Sequence, residues 1–224
     1  MFNNKERKEE RLRSLMEDTL SVRNYNLVMG LCILYGFIVN AIMVTTMGPM
    51  VKNMNYLVFI IGYFICVIAG SAISAKSTNP LYSFIGYNLI CLPIGILLTI
   101  CLPTYDPTII VRAAVATAAV TVLMIILSQI YPDFFSKLGR TLFFALLATI
   151  IVEFVLILCG ASTTWIDYIV VAIFSLYIGY DFHKAQEYPK TLDNAVDSAI
   201  DLYLDIINLF IRLLKIFARS SSND

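Results

Sequence analysis

Six apolar runs, each about as long as a helix needs to cross the hydrocarbon layer of a bilayer, constrain this chain more than any other feature. They occupy 25–47, 55–75, 81–102, 108–130, 141–160 and 164–180, with few internal charges. In lipid the backbone must satisfy its own hydrogen bonds, which selects helices for such runs. The breaks between them are short and carry turn chemistry: MGPMVKN, AKSTNP, PTYDP, YPDFFSKLGR and GAST. A seventh run, 196–217, is less hydrophobic at its start. Composition agrees, since only 14% of the residues are charged, against about a quarter in a soluble domain. The expected fold is an all-α integral membrane protein of seven transmembrane helices. It comprises a charged cytosolic segment over 1–24, a transmembrane domain over 25–217 and a short tail over 218–224.

Orientation follows the lysines and arginines of the short loops. Lys5, Arg7, Lys8, Arg11, Arg13 and Arg23 mark the amino end as cytosolic, and no A-x-A-like site marks it as a signal peptide. The 131–140 and 181–194 loops hold Lys137, Arg140, Lys184 and Lys190, whereas 103–107 and 160–163 hold no Lys or Arg. Arg212, Lys215 and Arg219 then lie outside if the seventh run crosses, which is the expectation. Trp165, Tyr168 and Tyr105 fit an outer aromatic belt, and Arg112, early in its run, snorkels to that interface. A net charge of zero provides no basic surface for nucleic acid. The five cysteines form no C-x-x-C pair, and the only histidine, His183, has no thiol near it in sequence, which argues against a disulfide framework or a zinc site. His183 reads as a solvated loop residue beside Asp181.

The seventh run carries the chemistry. In LDNAVDSAIDLYLDIINLFIRLLK an aspartate recurs every fourth residue: Asp193, Asp197, Asp201 and Asp205. At about 100° per residue Asp197, Asp201, Asp205, Asn208 and Arg212 share one seam, which Lys215 and Arg219 extend. Acids at a helix start and bases at its end complement the macrodipole, so Asp193 and Asp197 read as a capped first turn in water, with Asp201 at the mouth. Asp205 lies some two to three turns into the helix. An ionised group there costs about 2.5–3.5 kcal/mol, so it is expected to face the bundle interior and to have a partner. Asp181, in FSLYIGYDFHK at the cytosolic end of the sixth run, is that candidate partner. Two antiparallel helices joined by 182–195 bring Asp181 within reach of Asp201 or Asp205. Paired carboxylates in a low dielectric cannot both ionise cheaply, so the pair keeps one proton and senses pH as a unit. When both are ionised they offer the hard oxygen ligands that Ca²⁺ takes. Glu153, in ATIIVEFVLIL, is a second intramembrane acid that either has a partner or lines a cavity, or else packs as a protonated, buried carboxyl.

The segments SLYIGYD and LYLDIINLFIRLLK together resemble the Bax inhibitor-1 family, also called the lifeguard or transmembrane Bax-inhibitor-motif family. The likeness is tightest over 174–217. It implies seven helices with the last at the centre, a pH-sensitive calcium leak, and a pH-sensing aspartate pair mapping onto Asp181 and Asp205. Three positions depart from the pattern, and one is Glu153, an acid that is not a feature of the family. Relatives can latch the pair with an arginine near the end of helix two, where this chain offers only Lys76; and Asp201 stands where a small residue is common.

Several function classes follow. The leading one is a proton-gated leak for Ca²⁺ in a membrane, a bacterial plasma membrane in preference to an endoplasmic reticulum or Golgi membrane, with no tightly bound cofactor. The alternative is a non-conducting regulator that binds another membrane protein, such as a membrane protease or channel. An intramembrane aspartyl protease would match Tyr180-Asp181, but the Gly-x-Gly-Asp half of its signature is absent before Asp205, so no enzyme is expected. A transporter finds little support: Pro93 can kink the third helix, yet nothing resembles an inverted repeat.

Overall fold

A computed structural model describes residues 19–221 apart from Asn53. The first 18 residues of the charged amino segment and the last three of the tail lie outside the described residues. The described chain is helical: α1 Val22–Thr46, α2 Gly48–Val51, α3 Tyr56–Lys76, α4 Pro80–Cys101, α5 Pro107–Ile130, α6 Pro132–Ser136, α7 Leu138–Leu158, α8 Thr164–Glu187 and α9 Leu192–Ser221. Six of these are long and apolar enough to cross a membrane, α1, α3, α4, α5, α7 and α8. Their starts follow local capping. Ser21, Asn55, Asn79 and Asp106 each accept a backbone N–H of the first turn through the side chain, and Pro80 and Pro107 occupy first-turn positions whose N–H needs no partner.

Two boundaries differ from expectation. Helix α8 runs to Glu187, so Asp181 sits inside it and not at the head of a 181–194 loop; His183 is accordingly a half-buried helical residue. Helix α9 starts at Leu192 and runs to Ser221, past the expected end at 217. Its 30 residues measure about 45 Å at the standard rise, more than the bilayer core.

The chain forms two compact units, 1–104 with 187–201, and 105–186 with 202–224. In the first, α3 and α4 approach backbone to backbone. A Cβ on Gly70 would meet the Gly86 carbonyl oxygen at 2.6 Å, and one on Gly86 would meet that of Gly70 at the same distance. Small residues allow this approach where no hydrophobic force drives helices together in lipid. Polar contacts tie α1 to α4: the Tyr87 hydroxyl donates to the Cys32 carbonyl at 2.8 Å, and the Tyr35 hydroxyl to Asn88 Oδ1 at 2.8 Å. In the second unit, Phe135 of α6 is buried where Gly179 of α8 leaves room for its ring, and Gly139 of α7 receives Tyr180 in the same way. Those two glycines set the height of α8 against α6 and α7, hence the level of Asp181.

Candidate functional site

In the first unit, the opening turns of α9 are buried, contrary to the solvated cap expected from sequence. Asp193 and Asp197 are each only 2% exposed. Ser83 of α4 donates to Asp193 Oδ1 at 2.5 Å, and Ser74 of α3 donates to Asp197 Oδ1. Burying a carboxylate without hydrogen bonds is costly, and these hydroxyls offset that cost. The cap itself is Thr191, whose Oγ1 accepts the Asn194 N–H at 3.2 Å. Tyr25 of α1 completes the cluster, its hydroxyl donating to the Asn194 carbonyl at 3.1 Å and lying 2.9 Å from Ser198 Oγ. Lys190, in the preceding turn, places its ammonium 4.5 Å from the centroid of the Tyr25 ring. Burial there pushes this ammonium below the usual lysine range. Asp201 is half-buried, and Lys76 is the exposed last residue of α3.

The second unit holds Asp181, Asp205, Glu153 and Arg212. Asp181 and Asp205 are buried, at 9% and 6% exposure. Both carboxylates act electrostatically on the hydroxyl of Tyr177, one turn before Asp181 on α8. The cation bonded to Asp181 is Lys184, with Nζ 2.9 Å from Oδ1, on the same helix face three residues on. Asn208, expected on the same seam, turns its amide back to the Leu204 carbonyl at 2.7 Å.

Seven residues beyond Asp205, about 10 Å along the helix, Arg212 is the partner of Glu153. Its Nη1 and Nη2 donate to Glu153 Oε1 and Oε2 at 2.7 and 2.8 Å, a two-pronged bond, and Nη1 also donates to Asp167 Oδ1 at 2.6 Å. Arg219 donates to the other Asp167 oxygen. Sequence reasoning missed Asp167, a residue of the first turn of α8 that is 1% exposed. The signal that finds it is spacing. Asp167 precedes Asp181 by as many residues on α8 as Arg219 follows Asp205 on α9. Antiparallel helices with equal spacings match at both levels, and the levels lie about 21 Å apart.

Six apolar helices long enough to span a bilayer, followed by a helix with acids at its start and bases at its end, define a polytopic membrane protein. Residues 18–223 match the family described as inhibitor of apoptosis-promoting Bax1, and the chain belongs to that family. It is 29% identical over 195 residues to an uncharacterised membrane protein of Streptococcus pyogenes serotype M1, covering 84% of this chain and 82% of that protein. A serotype M6 counterpart shows the same identity and coverage. An uncharacterised Helicobacter pylori protein is 33% identical over 95 residues, 40% of this chain and 39% of its own length.

Proposed function

We propose that this protein is a pH-sensitive calcium leak pathway, gated by a proton shared between Asp181 and Asp205. The observation that carries the reading is the burial of both carboxylates, each within electrostatic range of the Tyr177 hydroxyl, in a chain of this family. With one proton shared, the pair holds α8 and α9 together. When that proton leaves, two negative charges in a low dielectric repel, and their oxygens become ligands for a hard cation. Lys184 stands as a tethered cation on Asp181, so an arriving Ca²⁺ competes with its ammonium. Among the described residues, no group of three or more His, Cys, Asp or Glu is arranged to hold a metal ion. Calcium takes six to eight oxygens in a dedicated site, so two carboxylates suit a cation in transit. The setting is a bacterial plasma membrane with the amino end in the cytosol, a reading supported by the relatives in Streptococcus and Helicobacter and by the basic residues near that end.

Ca²⁺ flux into vesicles containing the purified chain, recorded between pH 6 and pH 8, tests this. Wild type should show a flux that changes with pH across that window, and Asp205→Asn should flatten the profile. An unchanged profile in the variant refutes the gating. No flux from any variant refutes the leak and leaves the non-conducting regulator as the reading to pursue by partner capture.

A further inference from the structure

A groove of about 510 Å³ runs along the second unit between the amino-terminal turns of α5 and the final turns of α9. Its lining includes Arg112, Ser220 and Ser221, together with the apolar Val115, Ala119 and Phe217. The side of α5 that lines it is open to its surroundings, with Val115 64% exposed. On a membrane span that exposure is to lipid. Asp106, the carboxylate in electrostatic range of Arg112, is engaged in accepting the Thr108 N–H at 2.7 Å.

We propose that this groove binds an anionic phospholipid. The phosphate sits on Arg112, the serine hydroxyls bond the headgroup, and one acyl chain lies over Ala119 beside Phe217. The charge complement selects the occupant. Among the described residues that line the groove the one charged residue is a cation and none is an acid, so a headgroup with a trimethylammonium meets repulsion without a counter-charge. Small side chains at Ala116 and Ala119 leave space for the chain, and the hydroxyls of Ser220 and Ser221 suit a headgroup that itself carries hydroxyls, as phosphatidylglycerol does. Lys215 and Arg219 lie on the opposite side of α9 at about 100° per residue, where with Tyr105 and Ala218 they line a separate cavity. They are therefore not part of this site.

Native mass spectrometry of the full chain in detergent tests the proposal, with phosphatidylglycerol and phosphatidylcholine added in turn. Wild type should retain phosphatidylglycerol over phosphatidylcholine, and Arg112→Gln should cut that preference by about fivefold, the factor set by one basic residue at a lipid surface. Ala119→Phe fills the groove without touching the cation and should displace the lipid, whereas Lys215→Gln should leave retention unchanged. Millimolar inorganic phosphate should not compete, because it has no chain to place in the groove. Equal retention of the two lipids, an unaltered Arg112→Gln, equal losses in Arg112→Gln and Lys215→Gln, an unaltered Ala119→Phe or full competition by phosphate would each overturn the assignment.

Discussion

Replacing Arg212 by methionine perturbs the four-charge cluster at its centre. The guanidinium makes three charge-assisted hydrogen bonds, at 2.6, 2.7 and 2.8 Å, to Glu153 and Asp167. The side chains of Arg212, Glu153 and Asp167 are 18%, 19% and 2% exposed, so bulk water does not screen the loss. Without Arg212, Glu153 keeps the more distant charge of Lys215, while Asp167 keeps Arg219. Removing one partner of a buried pair costs about 3–5 kcal/mol, because the residual charge remains buried. Glu153→Gln should cost less, about 1.5–3 kcal/mol, since the amide oxygen still accepts one bond and Asp167 still holds the arginine. The double variant Arg212→Met with Glu153→Met removes both charges, and its cost should fall well below the sum of the single substitutions. Equilibrium unfolding in mixed micelles of graded denaturing-detergent content measures all three, together with the Glu153→Met single that closes the cycle. A loss below about 1 kcal/mol for Arg212→Met, or single costs that simply add, would refute the claim that the cluster is a coupled buried unit.

Three further outcomes follow from the packing. Gly86→Ala should destabilise by about 1–3 kcal/mol, because the new methyl meets the Gly70 carbonyl oxygen and Ser74. Gly30→Ala meets nothing within 4 Å and should be neutral or stabilising by up to about 1 kcal/mol; the same unfolding assay compares the two, and equal effects would contradict the α3–α4 contact. Asp197→Ala should cost about 1–3 kcal/mol by stranding the buried Ser74 hydroxyl, with Asp197→Asn recovering most of it; a negligible alanine cost would restore the solvated-cap reading. Asp106 is held below the usual carboxylate range, chiefly by its hydrogen bonds with Thr108. A depressed carboxylate adds stability above its ordinary value of 3.8, and that contribution is lost as the pH falls through the lower folded value. Asp106→Ser, a cap that does not titrate, should therefore show a shallower decline of melting temperature below about pH 4 than wild type, and identical slopes would refute the cap's role.

The apolar spans were legible because hydrophobic length is a local property of the chain. The ends were less so, as α8 and α9 show. Asp181, Lys184 and Glu187 look like loop residues by charge, yet α8 carries all three because Lys184 closes on Asp181 within the helix. The burial of Asp193 and Asp197 was invisible for another reason. Their partners, Ser83 and Ser74, stand more than a hundred positions away in sequence, and a serine in an apolar run gives no sign of what its hydroxyl will meet. Glu153 was recognisable as an intramembrane acid and Arg212 as lying on the seam, but the bond between them is a tertiary fact. Asp167 drew no reading from the sequence, and its role emerges only once α8 and α9 are read in antiparallel register.

That register also decides how α9 stands to the membrane. By hydropathy alone α9 is not among the candidate spans, since its seam carries too many charges. A helix with such a seam has two stable settings: flat in the interface with the seam in water, or upright in a bundle with the seam turned inward. The flat setting requires its acids and bases to be exposed. Asp193, Asp197 and Asp205 are instead 2%, 2% and 6% exposed, and Arg212 spends its donors on Glu153 and Asp167. Asp167 lies at the opposite end of α8 from Asp181. A helix that acts electrostatically on Tyr177 at Asp205, and bonds Asp167 at Arg212 and Arg219, runs along α8 in the opposite direction. Helix α9 therefore crosses as α8 does. Its charges are the reason a hydropathy window overlooks it, and their buried hydrogen bonds are what make the crossing affordable.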